Sequence, residues 1–255
     1  MFYILRKDKI ISYMVSLGTV IILFLMAFSI TNNQKVIETS ASIKKLPIYN
    51  VQTDEKKIAI TMNCAWNADD IDSILQTLEK HKVHITFFMV GEWVDKYGDS
   101  VKKIDEKGHE IANHSNTHPH VNKLSLEKNI AEIEENSKKI EKITGKKTTL
   151  YRGPYGEYND TVIQAAEAQN HKTIQWNIDT LDYSGLTGNE MWKRIENKLE
   201  KGSIILMHNG TKHTADSLDS ILTNIEKRGY KIVTVSDLIY KENYKINVNG
   251  TQIKN

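Results

Sequence analysis

From Lys56 onward the chain alternates short apolar runs with amphipathic segments, and this alternation constrains the fold more than any other feature. Runs with strand character lie at Ile58–Met62, Val83–Val90, His109–Asn113, Thr149–Arg152, Lys172–Trp176, Ser203–His208 and Lys231–Val235. Between them the apolar residues fall at helical spacing. Ile71, Ile74, Leu75 and Leu78 form the first such set. Further helices are predicted over Val94–Glu106, Ser125–Thr144, Asp160–Ala168, Glu190–Leu199 and Ser217–Arg228. Lys107-Gly108, Thr144-Gly145, Lys201-Gly202 and Arg228-Gly229 supply helix stops. Strands alternating with helices imply a parallel sheet, either doubly wound or closed into a barrel. No repeat of solenoid length is present.

The N-terminus has a different character. Ile10 to Ile30 is a run of 21 residues without charge, long enough as a helix to span a bilayer. Arg6, Lys7 and Lys9 precede it, which orients the short N-terminus to the cytoplasm and the rest outward. Ala27-Phe28-Ser29 is a poor cleavage site, so an uncleaved anchor is expected rather than a signal peptide. The expected organisation is a cytoplasmic segment 1–9, a transmembrane helix 10–30, a linker 31–55, an α/β domain 56–241 and a polar tail 242–255. Lys and Arg number 34 against 32 Asp and Glu, a net charge of +2, which gives no basic surcharge for nucleic acid. A single cysteine, Cys64, excludes an internal disulfide. The protein is expected to be a monomer.

In α/β folds, sites form at the carboxyl ends of strands. The chemically distinctive residues cluster there: Asn63 to Asp70, His114 and His118, Arg152, Asp179 and Asp182, and His208. His114-Ser-Asn-Thr-His118 places two imidazoles four residues apart, a spacing that can converge on one metal, zinc above all. Pro119 argues that the pair sits on a tight loop rather than a helix. A catalytic zinc needs a third protein ligand, for which Asp69 and Asp70 in the first loop are candidates and the Cys64 thiolate a chemical alternative. One of the two aspartates could instead cap the helix beginning at Ile71. His208 ends a strand, and Asp182 could orient its ring for general-acid work. His81, His84, His109, His120, His171 and His213 show no comparable context and are expected to be structural or exposed.

Thr61-Met-Asn-Cys64, His114-Ser-Asn-Thr-His118, Arg152-Gly-Pro-Tyr-Gly156, Asp179-Thr-Leu-Asp182-Tyr183 and Leu206-Met-His208 resemble the five ordered motifs of the polysaccharide deacetylases. These are the NodB-homology domains of carbohydrate esterase family four, and the resemblance runs from about Lys56 to Tyr240. The anchored single-domain form looks most like the sporulation-associated members of Gram-positive bacteria. The resemblance implies a distorted (β/α) barrel of about seven parallel strands, preceded here by one transmembrane helix. It implies a divalent metal, usually zinc, and removal of N-acetyl groups from amino sugars of peptidoglycan or a chitin-like glycan outside the cell membrane. It also implies roles: His114 and His118 as metal ligands, His208 as general acid, Asp182 tuning His208, Arg152 holding the catalytic carboxylate, and the Tyr155 N–H binding the oxyanion. Trp66, Tyr155 and Tyr183 could stack on sugar faces, although Trp66 and Tyr183 could equally pack the barrel rim.

The sequence departs from the family where the chemistry is most demanding. The first motif of the family carries two adjacent aspartates, a base and a metal ligand, and here these positions hold Asn63 and Cys64; the resemblance then implies Asp70 as the metal ligand, with Asp69 second and Cys64 third. An amide does not take a proton from water as a carboxylate does, so the base position is occupied by a residue that cannot serve as one. Two expectations follow from different classes: a metal-dependent amidohydrolase, and a catalytically impaired relative that binds glycan and serves a structural role in envelope or spore.

Overall fold

The computed structural model describes residues 7–32 and 45–255, in two compact units, Met1–Ile43 and Lys44–Asn255. The first contains α1 (Lys7–Asn32), whose segment Lys9–Met26 has a mean hydropathy of 2.0. By length and composition this helix can cross a membrane. Residues 1–6 and 33–44, parts of the expected cytoplasmic segment and linker, lie outside the described residues.

The second unit opens with β1 (Asn50–Val51), β2 (Lys57–Cys64), α2 (Ile71–His81), β3 (Thr86–Met89), α3 (Gly91–Lys96), α4 (Gly98–Glu106) and β4 (Glu110–Asn113). It continues with α5 (Leu126–Thr144), β5 (Leu150–Tyr151), α6 (Asp160–Ala168), β6 (Lys172–Thr173), β7 (Ile178–Asp179), α7 (Gly188–Ile195) and β8 (Ile204–His208). It ends with α8 (Thr214–Lys227), β9 (Lys231–Val233), α9 (Val235–Leu238), β10 (Tyr244–Ile246) and β11 (Thr251–Lys254). The main sheet runs β6-β5-β4-β3-β2-β8-β7, every pair parallel, with β9 docked on the start of β2. This curled α/β sheet of seven strands is a half-open barrel, as the family resemblance implied and as one of the two arrangements that the strand–helix alternation allowed.

The central strand shows why the sheet holds together. Every residue of β2 from Ile58 to Cys64 is buried, as expected of a parallel strand covered on both faces. Alternate side chains face opposite ways. Ile58, Ile60, Met62 and Cys64 join the large core beneath the helices, with Ile74, Leu78, Phe87, Leu222 and Ile225. Thr61 and Asn63 face the other side, where their side chains meet the Arg152 guanidinium.

Beyond shifts of a few residues at element ends, three features differ from the sequence expectation. The helix predicted over Val94–Glu106 is two, α3 and α4, broken at Tyr97, whose φ of −125° and ψ of 41° are not helical. The strand β7 was not anticipated, because two residues carry no period. The tail 242–255 is not a loose end. Its strands β10 and β11 form a hairpin, and β11 pairs parallel with β1, so linker and tail close one three-stranded sheet. The fully buried Gln252 side chain fastens this sheet by bonding both the N–H and the C=O of Tyr240. Gly202 makes the adjoining contact possible: a Cβ there would stand 1.7 Å from the Val51 carbonyl oxygen.

His109, at the entry to β4, is a structural histidine whose Nδ1 accepts from the Ile85 N–H at 3.3 Å. Burial, then His84 and Lys107, push its pKa down to about 4. The folded protein therefore resists a proton that the unfolded chain accepts below about pH 6.5. Its contribution is present above that pH and is lost as pH falls toward 4, on the order of 3 kcal/mol in all. Urea unfolding followed by tryptophan fluorescence should show stability falling over that window, with a shallower fall in His109→Asn.

Candidate active site

The parallel strands end on one rim, and a cavity of about 500 Å³ opens there. Asn63, Trp66, Glu92, His114, His118, Tyr155, Trp176, Asp179, Tyr183 and His208 are among its lining residues. Register explains the convergence: Asn63 on β2 lies directly opposite His208 on β8, and Asn113, just before His114, lies opposite Tyr151, just before Arg152.

His208 and Asp182 form a tight pair. The Asp182 carboxylate is fully buried and accepts from His208 Nδ1 at 2.9 Å and from the His208 N–H at 2.6 Å. It also accepts from the Tyr183 N–H and the Thr214 hydroxyl at 2.9 and 2.7 Å. With four donors to one carboxylate, the ring is locked by Nδ1 and presents Nε2. Trp66 and Tyr183 flank that ring at 5.3 and 5.2 Å between centroids.

The loop after β4 carries the other two imidazoles. Ser115 and His118 adopt left-handed φ values of 66° and 56°, strained for side-chain-bearing residues. Glu132 on α5 secures the turn by accepting from the Asn116 and Thr117 N–H groups, each at 2.8 Å. Nothing in the local sequence pointed to Glu132. His114 bonds the Arg152 carbonyl through Nδ1 at 2.7 Å, which leaves Nε2 for another partner. Burial first, then each other's charge in the case of His114, hold both histidines below the usual imidazole range, so they stay neutral at pH 7. Their rings stand 5.1 Å apart, edge to face.

Arg152 is fully buried beneath the cavity. It donates from Nη1 to Thr61 Oγ1 and Asn63 Oδ1, both at 2.9 Å, from Nη2 to the Gln175 carbonyl at 3.1 Å, and from Nε to the Ile174 carbonyl at 3.3 Å. Every acceptor is neutral. Desolvation lowers its pKa to about 9, with the Asp179 charge opposing that fall.

The candidates for a third metal ligand lie elsewhere. The Cys64 side chain points into the helix-covered core, and burial followed by the Asp70 charge raises its thiol well above the usual range. Asp70 precedes α2 but makes no side-chain cap bond. Its carboxylate instead takes the Gly210 N–H at 2.7 Å and Asn209 Nδ2 at 3.2 Å, tying the loop after β2 to the loop after β8. Asp69 is exposed. Asn63 offers only an amide oxygen, already bonded to Arg152. Among the described residues no group of three or more His, Cys, Asp or Glu side chains is arranged to hold a metal ion. Two neutral imidazoles without an anionic third ligand do not fit a catalytic zinc site, and Asp70, expected as that ligand, instead gives its carboxylate to Asn209 and Gly210.

Trp66, Tyr155 and Tyr183 are exposed at the rim. Tyr155, at φ 58°, stacks on His120 at 4.4 Å and 19°, and meets His118 edge-on at 4.6 Å. His120 is itself fixed by Glu157 at 2.7 Å, so this histidine supports the rim rather than standing free of it. Glu92, Trp93, Trp176 and Asp179 also line the cavity; of these four only Asp179 carries a signal in the sequence. Asp70→Ala should destabilise the fold by about 1–3 kcal/mol through loss of a charge-accepted bond, measured by urea unfolding. An unchanged midpoint would mean the carboxylate does not tie these loops.

Comparison with known proteins finds relatives of this chain. Residues 50–174 match the family model for polysaccharide deacetylase. The chain is 34% identical over 198 residues to YlxY of Bacillus subtilis, an uncharacterized protein, covering 78% of this chain and 62% of that one. It is 32% identical to the peptidoglycan-N-acetylmuramic acid deacetylase PdaC of Bacillus subtilis, covering 74% of this chain and 40% of PdaC. The chain thus spans only part of the length of these curated relatives. The crystal structure of BA3943 of Bacillus anthracis, described as a CE4 family pseudoenzyme, superposes with a TM-score of 0.73 at 32% identity. That match covers 75% of this chain and 68% of the other. A mutant of BA3943 with restored enzymatic activity superposes equally well.

Proposed function

The chain belongs to the polysaccharide deacetylase family, and from that premise we propose that its cavity recognises N-acetylated amino sugars of a cell-wall glycan while Asn63 holds acetamide hydrolysis to a residual level. One observation carries this reading: a fully buried arginine bonds an amide where the family's first motif has a carboxylate. Hydrolysis of an acetamide needs a polarised carbonyl, a deprotonated water and a protonated leaving amine. The amine proton has a source in His208, oriented by Asp182. The water has no carboxylate at position 63 to take its proton, and the donor set does not complete a metal site.

Recognition keeps its parts. Trp66, Tyr155 and Tyr183 offer exposed aromatic faces, the chemistry that stacks on the apolar faces of sugars. The likeness to a family pseudoenzyme supports the same direction. A second reading, slow deacetylation by an active enzyme, is favoured by the intact His208–Asp182 pair. On either reading α1 serves as a single-pass anchor that leaves the folded unit outside the membrane, facing the wall.

Acetate release from N-acetylated peptidoglycan or chitooligosaccharides, with zinc supplied, separates the readings. Restoring the carboxylate with Asn63→Asp should raise release at saturating glycan about 10²-fold or more, the scale of a general base. Equal rates in the parent and the variant would remove Asn63 as the block. Trp66→Ala should weaken binding of the same oligosaccharide about threefold to tenfold, read by calorimetry. Unchanged affinity would assign Trp66 to rim packing.

A further inference from the structure

The orientation of the Asn63 amide is set by its partner. A guanidinium has donors and no acceptor, so the atom that faces Arg152 Nη1 at 2.9 Å must be the oxygen. The NH₂ group is then turned away from Arg152. Asn63 is 5% exposed and lines the cavity, and among the described residues Nδ2 has no hydrogen-bond partner. It is not an orphan sealed in the core either, since the buried atoms without partners are Asn50 Oδ1, Asn129 Oδ1, Asn136 Oδ1, Tyr151 Oη, Thr173 Oγ1 and Asn209 Oδ1. A fixed, unused donor therefore faces the cavity.

We infer that Asn63 is the specificity-determining residue of this cavity, its Nδ2–H donating to the carbonyl oxygen of a sugar acetamido group. This rests on the glycan reading above and deepens it: the position changes from one that would take a proton to one that supplies a hydrogen bond. A carboxylate here would set its lone pairs against those of the acetamide oxygen, whereas the amide complements them. The Arg152 anchor gives the donor a single direction, so little ordering is needed on binding. A ligand without the carbonyl leaves a nearly buried donor unpaired, which disfavours it by about tenfold to a hundredfold.

The test is calorimetric titration of the full chain in detergent micelles, with chelator present so that hydrolysis does not intervene. The probe is the tetrasaccharide of N-acetylglucosamine. Asn63→Asp, isosteric and still paired with Arg152, should bind it at least tenfold more weakly than the parent. Asn63→Ala, which removes the donor without adding charge, should lose a similar factor and covers the case in which the aspartate variant fails to fold. Weakening in Asn63→Asp alone would reduce the effect to charge repulsion and overturn the donor role. Equal affinity in all three would also overturn it, with glycan recognition left standing. Absence of binding by the parent itself would sink the glycan reading together with the inference.

Discussion

The buried Arg152 guanidinium is the interaction on which the cavity depends. It stands at the end of β5 and reaches Thr61 and Asn63 on β2 as well as the carbonyls of Ile174 and Gln175 beyond β6. The Phe88 ring lies 4.0 Å from it and Trp176 5.2 Å. A fully desolvated cation is costly unless its donors are satisfied. Here neutral acceptors and aromatic faces do this, in place of the carboxylate such a group usually finds. The same residue's carbonyl holds His114, so one side chain and its backbone set both the floor and one wall of the site.

The second constraint is the two-residue period of β2. Because Asn63 faces the cavity, Cys64 must face the core, and no rotamer brings its thiol round to the imidazoles without moving the strand. Asp70, in turn, gives its carboxylate to the loop after β8, closing the rim by bonding Gly210 and Asn209. With Asn63 and Cys64 at these positions, the cavity keeps the His208–Asp182 pair, an aromatic rim and the His114 and His118 imidazoles, and β2 brings no carboxylate to it. Relatives in the same family include an enzyme on peptidoglycan and a pseudoenzyme, and the chemistry of position 63 bears directly on which behaviour this chain follows.

Much of this was legible in the sequence. The central strands read clearly because β2, β3 and β8 are buried on both faces and are mostly apolar. The placement of Asn63, His114, Arg152 and His208 followed from a rule of α/β architecture once the strand ends were located. Other features depended on tertiary context. Strand β7 is only two residues long and gains its identity from pairing with β8. The tail hairpin had a local signal in Asn249-Gly250, where φ of Gly250 is 78°. Its role, however, came from Gln252 bonding Tyr240 across the chain. Glu132 is an ordinary surface glutamate on a helix until the loop above turns three of its donors onto it. Asp70 looked like a ligand or a cap, and only the neighbouring loop shows which partner its carboxylate takes.

The most direct examination of the central claim is a crystal structure of the full chain grown with the N-acetylglucosamine tetrasaccharide at pH 7 and zinc present. The account predicts an intact acetamido group in the cavity, its carbonyl oxygen within hydrogen-bond distance of Asn63 Nδ2 and its sugar ring against the aromatic rim. A glucosamine residue with free acetate in the cavity, or a sugar seated away from Asn63, would contradict it.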